Sequence, residues 1–280
     1  MKYAVDIPNF GVFADAHVVA ETAREAEDAG WDAIWIWDHV LRDRGVPYGD
    51  PWVLLTAVAL ATTRIRFGPM VTPLPRTRPW LVARAAATLD RLSGGRFTLG
   101  VGMGNPPREF SATGEDPDLR VRAAKLDEGL EILTRCWTGT PFTFRGRHYS
   151  LDDVEFLPVP VQRPRIPIWL AATLPHQAPF RRAARWDGVW AIRRNPDGNS
   201  PMTTVEDIRA VRELIDTFRT SAEPFDIVAQ GMTTGGLPHE AAGAAHLLED
   251  AGATWWVERI NPQRGSVLDM RERVRRGPPR

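Results

Sequence analysis

An α/β fold of the (β/α)8 barrel type is what this sequence predicts, on three observations. Short runs of β-branched and aromatic residues alternate with longer segments of helical periodicity, the rhythm of βα units laid around a parallel sheet. Those runs number eight. At 280 residues the chain has a length at which such barrels commonly form one domain, so a single domain over residues 1–280 is expected.

The strands fall at Tyr3–Ile7, Ala33–Trp37, Ile65–Val71, Phe97–Gly102, Ile168–Ala172, Gly188–Ile192, Phe225–Gln230 and Thr254–Glu258. The first helix carries its own punctuation: Asp15 as N-cap, Val19, Ala23 and Ala26 on one face, and Gly30 as the left-handed stop. Glu249-Asp250-Ala251-Gly252 repeats that ending before the eighth strand. In the fourth helix Ala123, Leu126, Leu130, Leu133 and Trp137 recur at helical spacing, which puts Asp127 and Glu128 on or near a solvated flank. Between that helix and the fifth strand, Thr138–Pro167 is too long for a simple loop and carries Pro141, Pro158, Pro160, Pro164 and Pro167. An insertion is expected there, with a hairpin around Phe142–Tyr149. The basic stretch Arg271–Arg280, with Gly277-Pro278-Pro279, reads as a fraying helix end.

Composition narrows the function classes. Hydrophobic residues at 43% and charged residues at 25% fit a soluble globular protein and not a disordered one. The 35 basic side chains balance 35 acidic ones, so no net field recruits nucleic acid or an anionic membrane. Met1–Asp6 runs directly into a strand-like segment without the apolar stretch of a secretory signal, and the apolar run Trp52–Ala61 is too short to span a bilayer. Cys136 is the only cysteine, which excludes an intramolecular disulfide and a cysteine metal cluster; a cytoplasmic setting is expected and no metal.

In a barrel of this kind the active site lies at the C-terminal ends of the strands. That rule selects Pro8, Asn9 and Phe10, then Asp38 and His39, then Thr72 and Pro73, then Met103, Gly104 and Asn105. Among them His39, beside a carboxylate, is the side chain suited to exchange protons near neutral pH and is the catalytic candidate. Gly100, Gly102 and Gly104 alternate along one face, a pattern produced either by a flat ring approaching the backbone or by close strand packing. Ala171-Ala172-Thr173-Leu174-Pro175 opens into the helical Gln177–Arg185, where backbone N–H groups, with Arg181 and Arg182, offer a phosphate dock. The substrate end is expected to include Phe10, Trp190, Arg193 and Trp256, suited to a largely apolar ligand with one anionic group; of Trp255 and Trp256, one must face outward. A dinucleotide glycine fingerprint, a Walker motif and a His-x-x-x-His pair are all missing from the sequence.

Several segments together resemble the luciferase-like flavin and deazaflavin oxidoreductases. They are Asp50-Pro51-Trp52-Val53-Leu54-Leu55, Ala61-Thr62-Thr63-Arg64-Ile65-Arg66-Phe67-Gly68, Met70-Val71-Thr72-Pro73 and Leu89-Asp90-Arg91-Leu92-Ser93-Gly94-Gly95-Arg96-Phe97. The Gly102-x-Gly104 turn with Glu109-Phe110, Leu126-Asp127-Glu128-Gly129, Phe144-Arg145-Gly146-Arg147-His148-Tyr149 and Pro160-Val161-Gln162-x-Pro164 continue the likeness in order over roughly the first two thirds of the chain. The resemblance implies a cofactor ring at the strand ends, with contacts from Asp38, His39, Met70, Val71, Gly102, Met103, Gly104, Asn105, Ala171, Ala172, Thr173 and Leu174, and a cis peptide between Met70 and Val71. It implies hydride transfer with the deazaflavin F420, His39 giving or taking the proton, and Arg76, Arg78 and Arg108 offering a basic exit for the cofactor's acidic tail. An FMN-dependent monooxygenase using O2 is the alternative, and a non-catalytic relative or partner subunit the second. Some sugar-phosphate dehydrogenases of the family carry a Glu acid directly after the Gly-x-Gly turn, where this chain has Asn105, so that chemistry is not expected. The expected partners are a small-molecule substrate and a second copy of the chain in a homodimer, with neither nucleic acid nor membrane.

Overall fold

In the computed structural model, which describes residues 1–195, 200–233 and 238–280, side-chain alternation along the strands sorts the apolar residues into two cores. The strands are β1 (Lys2–Ile7), β2 (Ala33–Ile36), β3 (Arg66–Pro69), β4 (Thr72–Pro73), β5 (Leu99–Gly102), β6 (Phe142–Arg145), β7 (Ser150–Val154), β8 (Ile168–Thr173), β9 (Gly188–Ile192), β10 (Asp226–Gly231) and β11 (Trp255–Arg259). Nine of them form one parallel sheet in the order β3-β2-β1-β11-β10-β9-β8-β5-β4. β3 and β4 are two halves of one barrel strand, parted at the Met70–Val71 peptide, which is cis as expected. The ring closes where Phe67 bridges Phe97, with Phe67 N–H on the Arg96 carbonyl (3.2 Å) and Thr98 N–H on the Phe67 carbonyl (3.0 Å). The fold is therefore the (β/α)8 barrel, and all eight predicted strands are present.

Around it lie α1 (Ala16–Asp28), α2 (Pro51–Ala61), α3 (Pro79–Leu92), the single turn α4 (Arg108–Ser111), α5 (Leu119–Cys136), α6 (Gln177–Ala183), α7 (Val205–Phe218), α8 (Pro238–Asp250) and α9 (Val267–Arg275). Asp15 caps α1 by accepting the His17 N–H, and Gly30 leaves it at φ +85°, as the sequence predicts. Val5, Ile7, Ile34 and Ile36 point outward and pack under the helices. Ala4, Ala33, Trp35, Trp169, Trp190, Trp255 and Val257 point inward and fill the barrel. Register settles the Trp255/Trp256 pair against the expectation: Trp255 faces in, while Trp256 faces the helix layer and donates its indole N–H to Glu258. Trp256 is thus no part of the barrel mouth. None of the helices among the described residues is long and apolar enough to cross a membrane.

Three peripheral expectations change. The insertion forms the β6–β7 hairpin, which runs on to Val154 rather than ending at Tyr149. Glu128 is not a solvated side chain but the latch of that hairpin: its carboxylate accepts the N–H groups of Arg147 (2.9 Å), His148 (3.0 Å) and Tyr149 (3.1 Å), while Asp127 pairs with Arg182. The C-terminus does not fray: Ser266 and Asp269 form a capping box on α9, Arg271 and Arg275 converge on Glu25 of α1, and Gly277 and Pro279 are buried.

Gly68 sits where barrel closure is tightest, since a Cβ built there would lie 1.8 Å from the Thr98 carbonyl oxygen. Gly68→Ala should cost about 3 kcal/mol or more, because backbone rather than a flexible side chain must move. Gly243→Ala in α8, with nothing within 4 Å, should be neutral or stabilise by about 0.5–1 kcal/mol. Urea unfolding of the two variants tests this; similar midpoints would contradict it.

Candidate active site

The chain leaving β2 carries Trp37, Asp38 and His39 over the barrel mouth, and its path is set from β1. Buried Asn9 donates to the carbonyls of His39 (2.7 Å) and Gly49 (2.8 Å) and accepts the His39 N–H (3.0 Å). All polar positions of that amide used here go to backbone, so Asn9 fixes where the His39 side chain begins. The imidazole Nδ1 then meets Glu109 at 3.2 and 3.3 Å. Glu109, fully buried in α4, also accepts the N–H groups of Val40 (3.1 Å) and Leu41 (3.2 Å) and one arm of Arg76 (2.8 Å). The other arm of Arg76 holds the Asp38 carboxylate.

The two carboxylates sharing Arg76 respond in opposite directions. Burial pushes Glu109 up, but His39, the Leu41 N–H and Arg76 outweigh it and hold its carboxyl below the ordinary range. At Asp38 burial dominates, and its carboxyl is raised although Arg76 opposes the shift. An ionised Glu109 can only accept, so Nδ1 of His39 carries the proton. Nε2 has no partner among the described residues, and the side chain is 18% exposed, so this nitrogen is the one able to exchange a proton at the mouth. Phe10 and Trp37 flank the imidazole, with ring centroids 6.4 and 6.1 Å away.

The glycine alternation has the packing explanation. A Cβ on Gly100 would lie 2.3 Å from the Pro69 carbonyl oxygen and 2.5 Å from Met70 Sδ, and one on Gly102 would lie 2.9 Å from Val71. Both glycines make room for the Met70–Val71 bulge. Gly104, at φ +80°, passes against Phe110 and Pro73, and its carbonyl is anchored by buried Arg122 (2.8 Å). Of the other expected contacts, Ala171 lies beside Gly102 on the neighbouring strand, and Met70, with Val71 and Ile192 against it, belongs to the inner core. Ala172, Met103 and Leu174 direct their side chains to the outer core, and Asn105 is exposed. Thr173 shares the inward-facing alternation of Trp169 and Ala171.

The arginines depart furthest from expectation. Arg76 is the buried hub between Asp38 and Glu109, not a basic exit; Arg108 bonds the Leu41 carbonyl (2.7 Å), and Arg78 lies over Trp80. Arg182 is paired with Asp127, and Arg181 lies over the Phe218 ring. Arg193 sits 3.6 Å from Asp207. Phe10 lies beside His39, Trp190 belongs to the core inside the barrel, and Trp256 to the core under the helices. Glu109 and Arg76 are the two members of the cluster that sequence reasoning did not assign to it; the one signal available for Glu109 was its place after the Gly102-x-Gly104 turn in the family resemblance.

The sequence profile of the luciferase-like monooxygenases matches residues 8–272. The chain belongs to that luciferase-like family. It is 36% identical over 166 residues to an F420-dependent glucose-6-phosphate dehydrogenase of Amycolatopsis mediterranei, covering 58% of this chain and 49% of the relative. To an F420-dependent hydroxymycolic acid dehydrogenase of Mycobacterium tuberculosis it is 33% identical over 176 residues, covering 60% and 46%. The chain spans about half the length of the curated relatives it matches. The F420-dependent tetrahydromethanopterin reductase of Methanopyrus kandleri shares the fold at a TM-score of 0.78 and 17% identity, over 99% of this chain and 98% of that one.

On the β1 side of this luciferase-like barrel, Asp6 accepts the indole N–H of Trp37. Burial pushes its carboxyl up to about 6, with Arg259 opposing. A carboxyl raised in the folded state contributes stability below the unfolded value, lost as pH rises through the folded one. Asp6→Asn keeps the acceptor for Trp37 and should raise stability at pH 7–8 by about 3 kcal/mol, with little gain at pH 4. Thermal melts across that range check it; a gain independent of pH would contradict it.

Proposed function

We propose that the chain is an F420-dependent oxidoreductase that moves a hydride to or from a small, largely apolar organic substrate. The observation that carries this reading is His39, with Nδ1 held by an ionised Glu109 and Nε2 unpartnered at the barrel mouth. Two curated relatives with different substrates are both F420-dependent, which supports the cofactor. The mouth fits a planar group: the Met70–Val71 bulge, Gly102 and Ala171 offer backbone and small side chains there. In this reading Asp38, His39, Met70, Val71, Gly102, Met103, Gly104, Asn105, Ala171, Ala172, Thr173 and Leu174 hold the group, Ala172, Met103 and Leu174 through backbone. F420, when bound, supplies a carbon centre that gives or takes hydride and reacts poorly with O2.

The chain's own residues supply the rest. His39 Nε2 takes the proton of a substrate hydroxyl as hydride leaves its carbon, or gives a proton to a carbonyl oxygen as hydride arrives; Glu109 stabilises the imidazolium form, and Arg76 helps keep Glu109 ionised. Phe10 and Trp190 provide an apolar wall. An FMN-dependent monooxygenase is the second reading, favoured by the family's description. We place the protein in the cytoplasm, in keeping with one buried, unreactive thiol at Cys136.

A homodimer is also proposed, through α2 and α3. Thr56 is the only polar residue of α2, yet one side is exposed: Val53 (60%) and Leu60 (71%), alongside Leu81 (52%) and Leu92 (47%) of α3. A helix apolar on all sides requires cover on all sides.

Parallel titration of the purified protein with F420 and FMN, followed by turnover with and without O2, separates the two cofactor readings; tight FMN binding with O2-dependent turnover and no F420 binding would overturn the first. His39→Ala should keep F420 binding and lose about 100-fold to 10,000-fold in turnover. Unchanged turnover removes His39 from the mechanism. Sedimentation should show a dimer that Leu60→Glu converts to monomer, and a monomeric parent protein would contradict the interface.

A further inference from the structure

The mouth has a second polar centre, away from the His39 cluster, where β1, β10 and β11 end. Arg259, on the inward face of β11, bonds Gln230 Oε1 through one terminal nitrogen and reaches the Ser200 carbonyl at 3.4 Å through the other. Its Nε is buried without a hydrogen-bond partner. The guanidinium lies over Trp37, 5.7 Å from the ring centroid. Among the described residues no carboxylate comes within 4 Å of it, in contrast to Arg76, which is neutralised by two. Asp6 acts on Arg259 only at longer range and spends an oxygen on Trp37.

Gln230 is not free to change this. Its amide nitrogen donates to the Ala191 carbonyl (2.9 Å) and its backbone N–H to Thr203 (2.9 Å), so Oε1 is the atom turned to Arg259. A neutral acceptor orients the cation without cancelling its charge. An unpartnered donor on a buried cation is costly unless something else satisfies it. Arg259 is partly exposed and can be reached. Through Trp37 it is one aromatic ring away from His39, whose centroid is 6.1 Å from that of Trp37. Arg193, the cation expected to meet an anionic substrate group, already faces Asp207.

We propose that Arg259 anchors a carboxylate on the substrate, which is therefore a small organic acid whose apolar body lies across Trp37 toward His39. Gln230 is the positioning residue that presents the guanidinium. The inference deepens the reading of the barrel mouth as the substrate site and rests on it. A carboxylate rather than a neutral oxygen is indicated because the charge of Arg259, unlike that of Arg76, is not already matched at contact distance.

Calorimetric titration of the full chain, alone and saturated with F420, with benzoate, benzamide and inorganic phosphate tests this. Benzoate should bind at least about ten-fold more tightly than benzamide, a difference of about 1.4 kcal/mol. Arg259→Met should abolish that preference and leave F420 affinity unchanged. Gln230→Glu, which sets a competing carboxylate on the guanidinium, should abolish it as well and guards against misfolding of the first variant. Equal binding of benzoate and benzamide, a preference that survives in both variants, or phosphate bound more tightly than benzoate would each overturn the assignment. A chain that fails to bind F420 yet keeps the Arg259-dependent preference supports the anion site and counts against the cofactor reading alone.

Discussion

A carboxylate buried without solvent stays ionised only if the protein supplies the hydrogen bonds that water would have given. Glu109 meets that requirement with two backbone N–H groups, one arm of Arg76 and the Nδ1 proton of His39. Each donor comes from a different requirement of the barrel: the N–H groups from the chain leaving β2, Arg76 from the turn after β4, the acid itself from the single turn after β5. The cluster is therefore a cross-brace between three strand ends as well as the support of the proposed proton-transfer group. Withdrawing Arg76 would leave Glu109 and Asp38 buried without their shared cation, a loss on the order of 3–5 kcal/mol. The geometry of His39 and local stability are in this case one interaction.

The same economy of space governs the wall beside it. The third barrel strand breaks between β3 and β4, and the break needs volume that only glycine leaves on the neighbouring strand. Gly100 clears Met70, Gly102 clears Val71, and Gly68 lets the β3 backbone approach Thr98. The alternating glycines thus house the bulge, which is the packing reason for their spacing.

What could be read in the sequence follows from the range of the interaction involved. Asp15, Val19, Ala23 and Gly30 report on their own helix, and the strands on their own alternation, so the barrel was legible. His39 was legible because a strand end is a local feature and the barrel rule supplies the rest. Glu109 was not: it lies beyond its strand end in a one-turn helix with no periodicity, and its partner Arg76 is 33 residues away. Nor could alternation decide between Trp255 and Trp256, because which of them faces inward is set by the pairing of β11 with β1 and β10. The shared segments around Asp90, Arg96 and Gln162 prove architectural. Asp90 accepts the Val161 N–H (2.7 Å) and the Gln162 amide (2.6 Å), tying α3 to the insertion, and Arg96 ties together carbonyls of Ala59, Thr62 and Ile65.

Trp37 joins the two halves of the mouth. One edge of its ring meets His39 and Phe10, its N–H is fixed by Asp6, and Arg259 lies over its face. The two sides differ: on the β2–β5 side Asp38 and Glu109 share Arg76 and Glu109 fixes the tautomer of His39, while on the β11 side the Arg259 cation has no carboxylate at contact distance among the described residues. A site that neutralised both ends would orient a proton donor but have no electrostatic preference among apolar substrates of similar shape. One that neutralised neither would leave the tautomer of His39 undefined. The asymmetry between Arg76 and Arg259 is the physical basis on which we propose that one barrel mouth both sets a proton and selects by charge.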